Sequence, residues 1–171
     1  MSESPSPSTL ASPGAPAPVM IRPLRGEDTA AVAAMLHALA VEFIVHEFAA
    51  GAASTFLREN NLEGIERHLA NGLVYHVAEI DGVIAGFIGM RARQHLFHLF
   101  VGKPWQGRGL SRRLWDHARS VAIADGGVPP FTVNASNHAV AAYEKLGFAR
   151  SAPVQEKNGI LFNPMQWTAA H

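Results

Sequence analysis

The sequence predicts an α+β fold: a mixed, mostly antiparallel sheet of six to seven strands with helices on both faces. Three observations carry this. Residues 73–80 and 83–92 are apolar strand-like runs joined by Asp81-Gly82, a strong hairpin signal, and a third run at 94–101 extends them into a β-meander. That third run passes through a glycine-rich turn into a segment whose Leu110, Leu114, Ala118 and Val121 recur at helical spacing. Ahead of the meander, Val32, Met35, Leu36, Leu39 and Phe43 form a second helical stripe.

The elements follow in order. Residues 1–18 hold five of the eleven prolines among Ser, Ala and Gly, too little apolar surface to offset the entropy of ordering, and read as a disordered tail. Residues 19–171 are expected to form one domain, as the length suggests. Val19 to Leu24 is a first strand, and Gly26-Glu-Asp-Thr supplies the caps of a helix running to about Phe48, where Gly51 and Ser54 break it. A second helix is expected over residues 57–71, ended by Asn71-Gly72, and the meander follows. The helix after the glycine turn should span about 106–125, with Gly126-Gly127 as its C-cap. Phe131 to Asn134 is the next strand, Asn137 caps a short helix carrying Tyr143, and Gly147 ends it. Two strands, about 148–152 and 160–168, complete the sheet.

The junction at 99–113 points to a phosphate-bearing ligand. Gly107 and Gly109 have no Cβ, so the backbone there can adopt positive φ and approach a ligand closely. The unpaired N–H groups of the first helical turn, about Gly107 to Ser111, carry the positive end of the helix dipole and suit an anion. Arg108, Arg112 and Arg113 add positive charge beside it. Two familiar glycine motifs fail: Arg108 and Gly109 stand where a Walker loop needs Lys and Ser/Thr, and Arg112 fills the third glycine slot of a dinucleotide fingerprint.

What remains, Gln106-Gly107-Arg108-Gly109-Leu110-Ser111 after an apolar strand, resembles the Gln/Arg-x-x-Gly-x-Gly/Ala signature of the Gcn5-related N-acetyltransferase (GNAT) family, with Ser111 at the final small position. A second segment, from Phe131 through Asn134, Asn137 and Tyr143 to Gly147-Phe148, resembles the later half of the family's domain. Together they place the resemblance over roughly residues 19–167 and imply the acyl-CoA N-acyltransferase fold. The resemblance further implies that acetyl-CoA is a co-substrate, its pyrophosphate on Gln106, Gly107, Arg108, Gly109, Leu110 and Ser111 and its arm against Asn134 and Asn137. By the same resemblance a backbone N–H within Leu99, Phe100 and Val101 polarises the thioester carbonyl, which requires this strand to be unpaired near its end. The resemblance also implies that the Tyr143 hydroxyl protonates the departing thiolate; a packing Tyr with a wet hydroxyl is the plain alternative.

For the base, strict alternation along 94–101 puts His95, Phe97, Leu99 and Val101 on one face and His98 and Phe100 on the other. His95 falls where several family members carry Glu, and where the similar strand of serotonin N-acetyltransferase carries His. An ordinary pKa near 6.5 suits it to accept a proton at neutral pH, possible rivals being His98, Glu79 or bulk water. Trp105 and Trp115 are read as packing residues. Acceptor recognition is expected on the first two helices and their loop, where Phe43, His46, Glu47, Phe48 and Phe56 gather, with a core stripe as the plainer reading of the phenylalanines.

Composition narrows the classes. A net charge of zero disfavours nucleic acid as a partner, and the sequence has no apolar run of membrane-spanning length. The absence of cysteine excludes a Cys acyl-enzyme and thiolate metal sites. No metal site is expected, since His46-Glu47 lacks the second His of His-Glu-x-x-His. The first residues lack a secretory pattern, so a cytoplasmic location is the default. The sequence thus reads as an acetyl-CoA-dependent N-acetyltransferase moving acetyl directly to a primary amine of a small molecule or peptide, with a homodimer compatible. A non-catalytic acyl-CoA-binding sensor on the same fold is the alternative.

Overall fold

The computed structural model describes residues 17–169, so the reading of a disordered tail lies outside the described residues except at 17 and 18. The chain runs β1 (Val19–Pro23), α1 (Thr29–Phe43), α2 (Ala52–Glu59), α3 (Leu62–Ala70), β2 (Val74–Ile80), β3 (Val83–Arg91), β4 (His95–Val101), α4 (Leu110–Ala124), β5 (Phe131–Ala135), α5 (Val140–Lys145), β6 (Phe148–Arg150), β7 (Gln155–Lys157) and β8 (Ile160–Trp167). The strands lie in the order β1-β2-β3-β4-β5-β8-β6, with the short β7 paired to the start of β8. Every pairing is antiparallel except β4 with β5.

Helices cover both faces, as the two apolar stripes require. On one face α4 and α5 bury Trp115, Leu114, Phe131 and Phe148, Trp115 being fully enclosed with ring centroids 5.0 Å from Phe148 and 5.6 Å from Phe131. On the other, α1 and α3 bury Val32, Leu36 and Ile65 against Phe87 and Tyr75.

Local chemistry corrects several boundaries. The first helix ends at Phe43, and Ser54 lies inside α2 rather than breaking a helix. The single helix expected over 57–71 is two. Asn60 Nδ2 donates to Phe56 O (2.9 Å) at the end of α2, and Asn61 Oδ1 accepts the Gly64 N–H (2.9 Å) as the N-cap of α3. A Cβ on Gly64 would sit 2.0 Å from Glu59 O, so glycine is what lets α3 start so close to α2. β7 was not expected; Asn158 (φ 54°) and Gly159 (φ 79°) make the tight turn that pairs it with β8. The helix after the glycine turn begins at Leu110, later than expected.

The correction that matters most is a β-bulge in β4. Gly89 pairs with His98 but Met90 pairs with Leu96, so Phe97 is an extra residue. It shifts the alternation by one. Leu96, Leu99 and Val101 belong to the α4 side, while Phe97 and Phe100 pack on the α1/α3 side. His95, beside Thr132, and His98, beside Tyr75, therefore share the α1/α3 face instead of lying on opposite faces.

Candidate active site

The site begins where the sheet parts. β4 and β5 are paired only at His95–Thr132 and Leu96–Val133, and beyond that the two strands diverge. Gly102 N–H donates to Ala85 O (2.8 Å), so by antiparallel alternation Phe100 exchanges its bonds with Phe87 while the amides of Leu99 and Val101 turn away from β3 into the gap. The expected unpaired strand end is thus present, with the amides of Leu99 and Val101 rather than of Phe100 turned into it. Gln106 Nε2 donates to Val101 O (2.9 Å) and ties the glycine turn to the strand.

Gly107 and Gly109 hold φ of 76° and 77°, and an added Cβ at either would meet no atom within 4 Å. Their absent side chains leave room against the backbone. The first α4 bond runs from Arg113 N–H to Gly109 O, which leaves the N–H groups of Leu110, Ser111 and Arg112 without intrahelical acceptors at the lip of the gap. Arg112 lines the same wall, its guanidinium donating to Lys145 O.

A cleft of about 840 Å³ runs from this lip through the gap to α1 and α2. It brings together Leu99, Phe100, Val101, Gln106, Gly107, Gly109, Leu110, Ser111, Asn134, Tyr143 and His95. Two expected contacts lie outside its wall. Arg108 is exposed on the turn, and Asn137 is occupied elsewhere: its Oδ1 accepts from Asn163 Nδ2 (2.8 Å), which also donates to Ala135 O (3.1 Å). Nor does Asn137 cap α5, for the short turn over Asn137–Ala139 intervenes.

Tyr143 is 7% exposed, its ring edge-on to Phe148 at 5.5 Å. Its hydroxyl makes no hydrogen bond with the described residues, and the residue lines the cleft. Burial pushes its pKa well above the ordinary phenol value, so the O–H form persists throughout the neutral range.

His95 Nδ1 lies 2.8 Å from Thr132 Oγ1, a partner the sequence did not reveal. Burial, aided by the nearby Arg91 cation, pushes its pKa down to about 4, against the ordinary value assumed from sequence. His98 also lines the cleft; its Nδ1 meets Tyr75 Oη at 2.8 Å, and burial, with His68 beside it, pushes its pKa down to about 3. Glu79 is not in the cleft. Arg22 holds it by an ion pair of 2.8 Å and holds Asp28 at 2.7 Å, at the sheet edge.

At the far end Phe43, Phe48 and Phe56 line the wall, whereas His46 and Glu47 do not. Phe43 stacks on His138 at 4.5 Å, joining the end of α1 to the segment after β5. The β7–β8 turn closes on α2: Ala49 N–H donates to Gly159 O (2.9 Å), and a Cβ on Gly159 would lie 2.9 Å from the methyls of Ala49 and Ala52. Among the described residues no group of three or more His, Cys, Asp or Glu could hold a metal ion, and no helix is long and apolar enough to cross a membrane.

Comparison with known proteins agrees with this architecture. A family model described as an acetyltransferase (GNAT) domain matches residues 44–169. Among solved structures, a Gcn5-related N-acetyltransferase of Rhodopseudomonas palustris is 22% identical with a TM-score of 0.72, covering 91% of this chain and 97% of that one. The PaiA N-acetyltransferase of Thermoplasma acidophilum, solved in complex with coenzyme A, is 17% identical with a TM-score of 0.70 and coverage of 89% and 99%. YncA of Salmonella typhimurium, solved with its cofactor acetyl-CoA, is 22% identical with a TM-score of 0.62 and coverage of 90% and 96%. No curated protein matches the chain.

Proposed function

The chain belongs to the acetyltransferase (GNAT) family, and from that premise we propose that residues 19–171 act as one domain that moves an acetyl group from acetyl-CoA to a primary amine of a small molecule or peptide. The observation that carries the proposal is the parting of β4 from β5, with the Leu99 and Val101 amides on one wall and Tyr143 and Asn134 in the same cleft. The cradle fits a pyrophosphate, since positive-φ glycines with open space above them precede unbonded N–H groups.

Acetyl-CoA supplies a thioester, an acyl group already activated for attack. The Leu99 and Val101 N–H groups stabilise the oxyanion that develops as the amine adds to the carbonyl carbon. The C–N bond forms, the C–S bond breaks, and the Tyr143 O–H gives its proton to the departing sulfur. Direct attack is the simpler course, because the chain has no cysteine to carry the acetyl group. His95, held neutral by burial, takes the proton shed by the amine nitrogen and, disfavoured as a cation beside Arg91, passes it on to solvent. A non-catalytic acyl-CoA sensor, the alternative, has no need of a tyrosine in the cleft wall, where Tyr143 stands.

Thermal unfolding tests the cofactor assignment. Acetyl-CoA is expected to raise Tm and ATP and NAD to leave it unchanged. Gly109→Glu puts a side chain and a negative charge where the pyrophosphate is assigned, and should abolish the shift. Stabilisation by NAD but not acetyl-CoA, or full acetyl-CoA affinity in Gly109→Glu, would overturn the assignment.

A further inference from the structure

One buried pair, of which His98 lines the cleft and Tyr75 stands behind it, has no role in the chemistry above. Tyr75, Gly89 and His98 stand in one row across three strands, since Tyr75 pairs with Gly89 and Gly89 with His98. A Cβ on Gly89 would lie 2.6–3.0 Å from three carbons of the Tyr75 ring. Its absence lets that ring cross over β3 and place its hydroxyl 2.8 Å from His98 Nδ1. The unbroken pairing from Phe87–Phe100 to Gly89–His98 keeps His98 on this face, and the bulge at Phe97 begins only beyond it.

The proton in this pair has one place to go. Tyr75 is 3% exposed and its hydroxyl has no protein partner other than His98 Nδ1 among the described residues. If Nδ1 carried the proton, the buried hydroxyl hydrogen would have no acceptor among the described residues, and an unsatisfied buried donor is costly. With Tyr75 donating, Nδ1 accepts and Nε2 carries the ring proton. The neighbouring His68 is turned to another partner, its Nε2 lying 3.2 Å from Asn60 Oδ1, and among the described residues it makes no hydrogen bond to the hydroxyl. His98 lines the cleft, and among the described residues only its Nδ1 is hydrogen-bonded, which leaves Nε2 to face the cleft.

His98 therefore presents a neutral N–H donor, one residue before the Leu99 amide, in a wall of aromatic rings. Phe97 is 4.4 Å and Phe100 5.9 Å from it by ring centroids. A donor here opposes the hydrogens of an ammonium or amine. A carboxylate would be a desolvated charge against these apolar rings, whereas an uncharged carbonyl oxygen satisfies the donor without that cost. Building on the transferase reading, we propose that His98, positioned by Tyr75, binds a neutral carbonyl oxygen of the acceptor. The preferred acceptors are then peptide-like amines, such as aminoacyl amides and peptide amino termini, over alkylamines without a carbonyl.

Two readouts test it separately from the transferase reading. In the ¹⁵N-labelled full chain without ligand, His98 should be protonated at Nε2 and not at Nδ1 between pH 6 and 8, and Tyr75→Phe should disturb that pattern. A proton on Nδ1 in the wild type, or an imidazolium in this range, overturns the proposal. With acetyl-CoA, phenylalanine amide and 2-phenylethylamine form a pair differing in the carbonyl group and in amine basicity. The wild-type kcat/KM ratio, amide over amine, should fall about tenfold or more in both Tyr75→Phe and His98→Phe, comparison with the wild type cancelling the basicity. An unchanged ratio in both variants overturns the proposal. If neither amine releases thiol, the transferase reading fails; the amide must then still shift the His98 Nε2–H resonance of the CoA-loaded protein more than the amine does, and the absence of that difference overturns the carbonyl assignment.

Discussion

Replacing Tyr143 by Phe removes one oxygen and separates two accounts of that residue. The ring is buried against Phe148, and Phe keeps that packing. Because the hydroxyl has no hydrogen bond to the described residues, its loss leaves none of them unsatisfied, and the unfolding free energy should stay within about 0.5 kcal/mol of wild type. A bonded hydroxyl would instead cost about 1 kcal/mol or more. The rate should respond differently. Loss of a general acid lowers kcat by about 10²–10⁴, and at 1.36 kcal/mol per tenfold this raises the barrier by about 3–5 kcal/mol. The hydroxyl acts as the thiolate forms, so affinity for CoA should hardly move. Equilibrium urea unfolding and single-turnover thiol release measure the two quantities on the same preparation. An unchanged single-turnover rate, or a stability loss well above 1 kcal/mol with an unchanged rate, would refute the assignment and leave Tyr143 a packing residue.

Three further outcomes are expected. His76, His95 and His98 are pushed down mainly by burial, to about 4, 4 and 3, from an ordinary value near 6.5. Only the unfolded chain gains their protons in the interval, so stability should be full above pH 6.5 and fall from there toward pH 4. Tm measured against pH checks this, and His76→Gln should make the fall shallower. The kcat/KM profile should show no limb near pH 6–7 that His95→Gln removes; such a limb would mean that the His95 site is wetter than the Thr132 contact and its burial imply. Gly89→Ala drives a methyl into the Tyr75 ring and should cost about 1–3 kcal/mol in urea unfolding, as overpacking does.

What could be read without coordinates was what local chemistry determines. The Asp81-Gly82 hairpin, the positive-φ glycines before α4 and the C-cap at Gly126 each depend on a few adjacent residues, and each is found where the sequence put it. Two features carried a readable signal that went unused. Asn158-Gly159 announces the β7–β8 hairpin, and Asn61 ahead of Leu62-Glu63-Gly64 announces an N-cap. The bulge at Phe97 is of another kind, because it is set by how β4 pairs with Gly89 and Met90 on the neighbouring strand. Period-two alternation reads one strand at a time, so it assigned the two histidines to opposite faces. Asn137 misled for the same reason: its partner Asn163 is a buried residue of β8, 26 positions on. The lowered pKa of His95 comes from burial and Arg91, neither visible from residue type.

Amine-dependent release of free CoA thiol tests the central claim most directly. Purified full chain, acetyl-CoA and a panel of alkylamines, aminoacyl amides and short peptides are mixed at neutral pH, with thiol and acetylated product followed together. The account predicts thiol release that requires both protein and amine, matched mole for mole by N-acetylated product and abolished in Gly109→Glu. Tight acetyl-CoA binding without acetylation of any amine would contradict it and make the cleft a binding site for the thioester alone.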